Sequence, residues 1–549
     1  MMAPSEAEVR ARCGVGELIV VLLLTTLLWI GYLSRTDFHV FPREDVIETV
    51  VAAREHAAGN GHTIRTVAPS TLVFLKQQGR LERPWPNVLR APLPVMLIAT
   101  FSRVVPEPLA VALSSGIFML LSAPLIYLLA FRLQGRPAAI LAAAAFVLSP
   151  AGLYLGSTGL TESSTIFSLT ALALLLMGPI AWRSAFAAGV AAAIGYLGRS
   201  TVSAWAIVTI LYVAYASRGD GWRHAFGRSA AFALPVALVV GWRGLQMLAL
   251  TGEFGYSAQP DMMIRHDLDL YPGRSASHAL EHWSPLQFIL QHPGAIARKY
   301  AVIAEDVWPH LLDLGALPFL VGAFMVELIV VFARGKRGGI RWLIYALLAL
   351  MVLLVPLASI DHGGVGISRY LDPFGPLCAA FGAAYIVELL RRSGASLPLA
   401  AIPLAVIVLF TALPTLMDVA VGAYHQQATT QMQAVTDTIQ AEAAPDDVIA
   451  STHASTLSFV GGLYTVRLPI TPEDLLRLDR EYVPVQWVHI KHRSAENRPR
   501  TRAWRPIMQQ AETLPGFEFW RRFDDGSVVL RRATQAREAA VPAPPPSAP

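Results

Sequence analysis

The chain is poor in cysteine, in charge and in the short motifs of soluble catalysis. Its 549 residues include only two cysteines, Cys13 and Cys378, which excludes a disulfide framework or a CxxC metal knuckle. Neither GxSxG nor a Walker loop occurs, and this argues against a hydrolase triad and an ATPase. His62, His278, His282 and His292 lie in predicted outer loops; His278 and His282 stand four apart with Glu281 between them, but on no predicted helix, which falls short of a ligand motif. Nothing in the sequence therefore indicates a metal, and a divalent cation is left open. Charged residues make up 15% of the chain, against roughly 25% in soluble domains.

Apolar sequence takes their place. Hydrophobic residues reach 54%, with a mean hydropathy of +0.47. They gather in runs nearly free of charge: Leu18–Leu33, Ala138–Leu153, Ala230–Leu250, Ala316–Phe332, Leu343–Ile360 and Leu397–Leu416. A spanning helix needs roughly 20 such residues to cross about 30 Å of hydrocarbon, so the pattern is that of a multi-pass membrane protein. The first run lacks a small-residue cleavage pattern before Tyr32 and reads as an uncleaved first span.

The net charge of +5 does not indicate a nucleic-acid partner. Arg132 and Arg136, Arg183, Arg218 with Arg223 and Arg228, Arg334 with Lys336, Arg337 and Arg341, and Arg391 with Arg392 all sit in short breaks between apolar runs. Such loops mark the cytoplasmic side. This places the N-terminus inside, and residues 35–108, 251–310 and everything after 420 outside. The run Ser184–Ser217 is too long for one crossing, and both of its flanks are basic. It is predicted to break at Gly195–Thr201, putting Arg199 at the outer face.

About eleven spans result: a mainly α, polytopic transmembrane bundle over residues 1–420 in the cell inner membrane. A small exoplasmic α/β domain is predicted over 421–540 and a disordered Pro/Ala-rich tail over 541–549. In that domain Gln426–Ala443 reads as a helix and Asp447–Ser451, Val483–Ile490 and Phe517–Arg531 as strands, the last with a hairpin turn at Asp525–Gly526. Pro92–Phe101, apolar but too short to span, reads as an interfacial helix.

The first outer loop carries a dense ionisable cluster including Asp37, Glu44, Asp45 and Glu48. Glu44 and Asp45 open a predicted amphipathic helix, Glu44–Ala57. They serve either as complements to its dipole or as a general base at the membrane surface. Glu162 opens a later span, with Thr161 as a candidate cap, and an ionisable residue there points to the bundle interior. Arg199 and Arg369 are outer-face arginines. They either snorkel to the interface or clamp a phosphate, for which the guanidinium fork is well suited. His362, in the outer loop before Arg369, is a further candidate. No internal repeat is visible, which disfavours a transporter built from paired halves.

In order along the chain, these features resemble the C-type glycosyltransferase superfamily, in particular its bacterial branch related to protein O-mannosyltransferases and the lipid A aminoarabinose transferase. Glu44–Asp45–Val46–Ile47–Glu48 through Ala52 is similar to the family's first-loop acidic motif, with the acids in swapped order and Glu48 in place of an aromatic. Arg90–Pro94 resembles its Pro-Pro-Leu helix entry, Leu148–Pro150 with Thr161–Glu162 its span hairpin, and Leu197–Arg199 the arginine of its fifth span. Ser284–Pro293 is similar to its large-loop segment, and Ser368–Leu371 to the Arg-Tyr-Leu before a late span. The resemblance implies an inverting transfer of a sugar from a polyprenyl-phosphate donor to an acceptor hydroxyl of an envelope lipid, glycan or protein. Glu44, Asp45 or Asp37 would be the base, and Arg199, Arg369 and Tyr370 would bind the phosphate. A transporter or flippase of a lipid-linked saccharide is the alternative.

Overall fold

The computed structural model describes residues 13–36, 43–266, 268–272, 275–312, 314–333, 339–358, 369–394, 397–421, 426–491 and 499–533. Asp37, His362 and the tail 541–549 lie outside them.

Helix α1, Val15–Arg35, is the first apolar span. The segment predicted to be the first outer loop then folds into α2, Glu44–Ala57, strands β1 (Thr63–Ile64) and β2 (Thr66–Val67), α3 (Pro69–Gln77), strand β3 (Trp85–Pro86) and α4, Pro92–Phe101. Both α2 and α4 carry the boundaries read from the sequence. In α2 the acids of the first turn face the positive end of the helix dipole, and Arg54 and His56 fall in its last turn. In α4 proline occupies the start, where a missing N–H costs nothing.

The spans follow as α5 (Glu107–Gln134), α6 (Arg136–Leu148), α7 (Glu162–Leu176), α8 (Trp182–Gly198), α9 (Val202–Ser217) and α10 (Trp222–Thr251). Later apolar helices cover Pro318–Val331, Gly339–Leu357, Arg369–Arg392 and Ala401–Met417. Among the described residues, six helices are long and apolar enough to cross a membrane. The shorter helices α6, α7, α8, Pro318–Val331 and Ala401–Met417 coincide with the other predicted spans. The break between α8 and α9 falls where two basic flanks demand it: Arg199 leaves helical geometry at φ −158°, ψ 121°.

Two observations depart from the sequence expectations. Part of the predicted outer loop 251–310 is regular, with a 20-residue helix over Pro293–Leu312. The C-terminal sheet is also not self-contained. Strands β4 (Val448–Ser451), β5 (Tyr464–Arg467), β6 (Trp487–Ile490), β7 (Phe517–Arg522) and β8 (Val528–Arg532) take in β2 from the loop between α1 and α5, in the order β2-β5-β4-β6-β8-β7. Pairing is parallel from β2 to β6, with Thr66 opposite Thr465 and Val67 opposite Val466. Strand β8 then runs antiparallel to β6 and β7.

One apolar core joins the two regions: Leu72, Phe74 and Trp85 of the loop pack in the same cluster as Val466, Leu475, Val488 and Trp504. Arginines of the loop donate to C-terminal carbonyls, Arg65 to Gly462 at 2.7 Å and Arg54 to Phe459 at 2.5 Å. As a result α2 is covered on both sides. Val46 and Val50 belong to the bundle core, whereas Glu48 and Glu55, equally buried, find arginine partners.

Candidate active site

Local backbone geometry at Gly159, Thr161 and Gly198 shapes the site. Gly159 adopts φ +74°, a conformation open to glycine, as the chain turns into α7. Thr161 takes the N-cap position of α7, but its side chain makes no capping bond, because its own backbone is already helical (φ −75°, ψ −12°). The expected cap is therefore absent. At the end of α8, a Cβ on Gly198 would lie 2.2 Å from the Ser164 hydroxyl. The missing side chain lets α8 close on α7 and brings Arg199 to the level of Glu162.

Glu162 is fully buried, and its Oε1 accepts from Arg369 Nε at 2.7 Å with Arg199 Nη1 at 3.4 Å. The two arginines, 170 residues apart in sequence, thus meet at a single carboxylate oxygen. Arg199 also donates to the Arg369 carbonyl at 3.1 Å, and its guanidinium lies 4.4 Å from the centre of the Tyr370 ring. The second oxygen of Glu162 has no hydrogen-bond partner among the described residues. A buried carboxylate is costly to hold without such pairing.

The charge pattern continues outward without a gap. Arg369 Nη1 lies 2.5 Å from Asp45 Oδ2, and Asp45 Oδ1 lies 2.8 Å from Arg90 Nη1. Arg90 then pairs with the buried Glu48 at 2.6 Å, and Glu48 with Arg467 of β5, also at 2.6 Å. Acid and base alternate from Arg199 to Arg467. Glu44 stands beside this chain, its side chain 46% exposed, with Arg467 at 3.5 Å and the Ser455 hydroxyl donating at 3.0 Å. Crowding by protein disfavours its charge, yet Arg467, Ser455 and Arg90 outweigh that and hold the carboxyl below its usual range.

These groups surround a cavity of about 250 Å³, lined by Glu44, Asp45, Arg90, Arg199, Arg369, Tyr370 and Arg467 among others. Arg243 of α10 also lines it, and its Nη2 lies 3.2 Å from His62 Nε2. Burial, with the Arg243 charge second, depresses His62 to a pKa of about 3. Of the sequence candidates, the structure brings Glu44, Asp45, Glu162, Arg199, Arg369 and Tyr370 to one place, while Asp37 and His362 fall outside the described residues. Arg90, Arg467, Ser455 and Arg243 were not singled out as site residues. Among the described residues, no group of three or more His, Cys, Asp or Glu side chains is placed to hold a metal ion.

A multi-span bundle, an amphipathic helix opened by two acids after the first span, a short apolar helix and a small appended sheet make up the fold. Among solved structures the chain is similar to ArnT from Cupriavidus metallidurans bound to undecaprenyl phosphate, with a TM-score of 0.53 and 13% identity over 95% of this chain and 99% of that one. It is also similar to the Archaeoglobus fulgidus oligosaccharyltransferase in complex with zinc and sulfate, with a TM-score of 0.54 and 16% identity over 91% and 72%. No protein-family model and no curated protein matches the sequence. At these identities the likeness is one of fold.

Proposed function

We propose that the protein is an inverting membrane glycosyltransferase that moves a sugar from a polyprenyl-phosphate donor to an acceptor hydroxyl at the outer face of the cell membrane. One observation carries this reading: a carboxylate at the rim of the cavity and a pair of arginines deeper within it converge on one space, on a C-type glycosyltransferase fold. The bound undecaprenyl phosphate of the similar ArnT structure supports the choice of donor.

In this reading Glu44 is the base. Both oxygens of Asp45 are engaged by arginines, so Asp45 holds Arg90 and Arg369 in place instead. Glu44 takes the acceptor O–H proton as the oxygen attacks the anomeric carbon and the bond from that carbon to the phosphate oxygen breaks. A carboxylate held below its usual range is a weak base that is fully ionised at neutral pH. That suits a displacement in which proton transfer comes late and the leaving group is already good. The lipid phosphate departs as an anion and needs positive charge rather than a proton. Arg369 and Arg199 supply it as preorganised donors, and the polyprenyl chain stays in the bilayer.

The test is release of free polyprenyl phosphate from a sugar-loaded donor by purified protein in detergent. Transfer produces it in an acceptor-dependent way that Glu44→Gln abolishes. A flippase produces none, and absence of release with any envelope acceptor fraction would overturn the reading.

A further inference from the structure

We infer that Arg467 and Ser455, both from the C-terminal region, are positioning residues for Glu44, which makes the sheet domain a working part of the site. The inference rests on the base role of Glu44 proposed above.

Glu48 stands where the related motif has an aromatic residue, and it is 1% exposed. A buried carboxylate in an apolar setting needs full pairing. Arg90 engages its Oε2 through Nε at 2.8 Å and Nη2 at 2.6 Å. Its Oε1 accepts from Arg467 Nη2 at 2.6 Å and from the Ser455 hydroxyl at 2.7 Å. The same nitrogen and the same hydroxyl also reach Glu44 Oε1, at 3.5 and 3.0 Å. A hydroxyl has one proton to give, so Ser455 serves one carboxylate at a time while Arg467 spans both. Glu48 thus anchors Arg467, and Arg467 faces Glu44.

The chain path explains how residues so far apart reach this register. Arg467 ends β5, which is locked in parallel register to β2, only nine residues after the end of α2. Ser455 is the second residue of the helix Ala454–Gly461 that follows β4. Strand pairing across the two regions therefore sets where both side chains stand against α2. The groups facing Glu44 are Asp45 and Glu48 on its own helix, Arg90 from the segment before α4, and Arg467 and Ser455 from the sheet domain. Arg369 reaches it only through Asp45. Arg467 also lines the cavity, which a purely structural rivet has no need to do.

The experiment uses the full chain in detergent. In Arg467→Gln the loss of the nearest cation raises the Glu44 pKa, so the acid limb of the pH profile of kcat moves to higher pH. At neutral pH kcat falls roughly 10- to 100-fold, within the range of general-base effects, with little change in donor KM. Arg467→Lys recovers much of the loss, and Ser455→Ala shifts the limb in the same direction by less. In parallel, infrared titration follows the Glu44 carboxylate, assigned by its disappearance in Glu44→Gln, and needs no turnover. A loss of activity with the limb and the infrared midpoint both unmoved would reduce Arg467 to a structural contact and overturn the inference. An infrared midpoint that rises in a protein without transferase activity would instead sink the base role and leave the electrostatic tie standing.

Discussion

Replacing Glu162 by glutamine should weaken the fold and tighten the binding of lipid phosphate. Glu162 is fully buried and serves Arg369 at 2.7 Å and Arg199 at 3.4 Å. Breaking a buried ion pair from one side costs about 3–5 kcal/mol. The amide oxygen of glutamine still accepts from Arg369, so the cost belongs at the lower end. A phosphate on the far edge of the Arg369 guanidinium would lie about 6 Å from the Glu162 carboxylate. Unit charges repel over that distance by about 3 kcal/mol at an effective dielectric of 20. Solvent at the open side of the cavity and small adjustments of the arginines recover part of this, leaving a tightening of roughly 10-fold, or about 1.4 kcal/mol. Fluorescence-monitored thermal unfolding measures the first effect, and displacement of a labelled polyprenyl phosphate measures the second. A Glu162→Gln protein that folds less stably and binds the phosphate no better, or worse, would show that Arg199 and Arg369 do not face the lipid anion.

Further expectations follow from the same geometry. Arg199→Ala and Arg369→Ala should each cost about 1.5–3 kcal/mol in donor binding, with lysine recovering only part, as read from donor Kd. In a background lacking Cys13 and Cys378, an impermeant maleimide should label a cysteine at Glu512 in intact cells and spare one at Gly219; the opposite pattern would invert the proposed topology. His62 and His489 are buried with pKa values depressed to about 3 from 6.5, so the unfolded chain binds more protons than the folded one between those limits. Stability should therefore fall as pH drops below 6.5, by about 1.4 kcal/mol per pH unit for each histidine, and His62→Gln should flatten the slope of melting temperature against pH.

What the sequence disclosed, and what it did not, divides along a physical line. Span positions and the break at Arg199 follow from hydrocarbon thickness and from basic flanks, which act locally. The limits of α2 and α4 follow from prolines and first-turn acids in the same few residues. Convergence of Arg199 and Arg369 was readable because the predicted topology puts both at one face. Strand β2 was not, because two residues carry no alternation and its partner lies in another region of the chain. Arg467 sits in an ordinary strand sequence, Tyr464–Arg467, with nothing to mark it. Glu48 looked like a departure from a motif because its counter-charges, Arg90 and Arg467, arrive from segments 42 and 419 residues away.

The pairing of Thr66 and Val67 with Thr465 and Val466 also sets an order of events during biosynthesis. At ribosomal rates of about 5–20 residues per second, the interval between making the two strands is roughly 20–80 s. Through that time α2 already exists, on the outer side in the proposed topology, while the wall that covers Glu48 does not yet exist. The nascent protein thus carries its candidate catalytic helix bare on one side until the segment with Ser455 and Arg467 is delivered. The proposed base would gain its partners only once Ser455 and Arg467 are made, and a ribosome that stalls before them would leave Glu48 without Arg467.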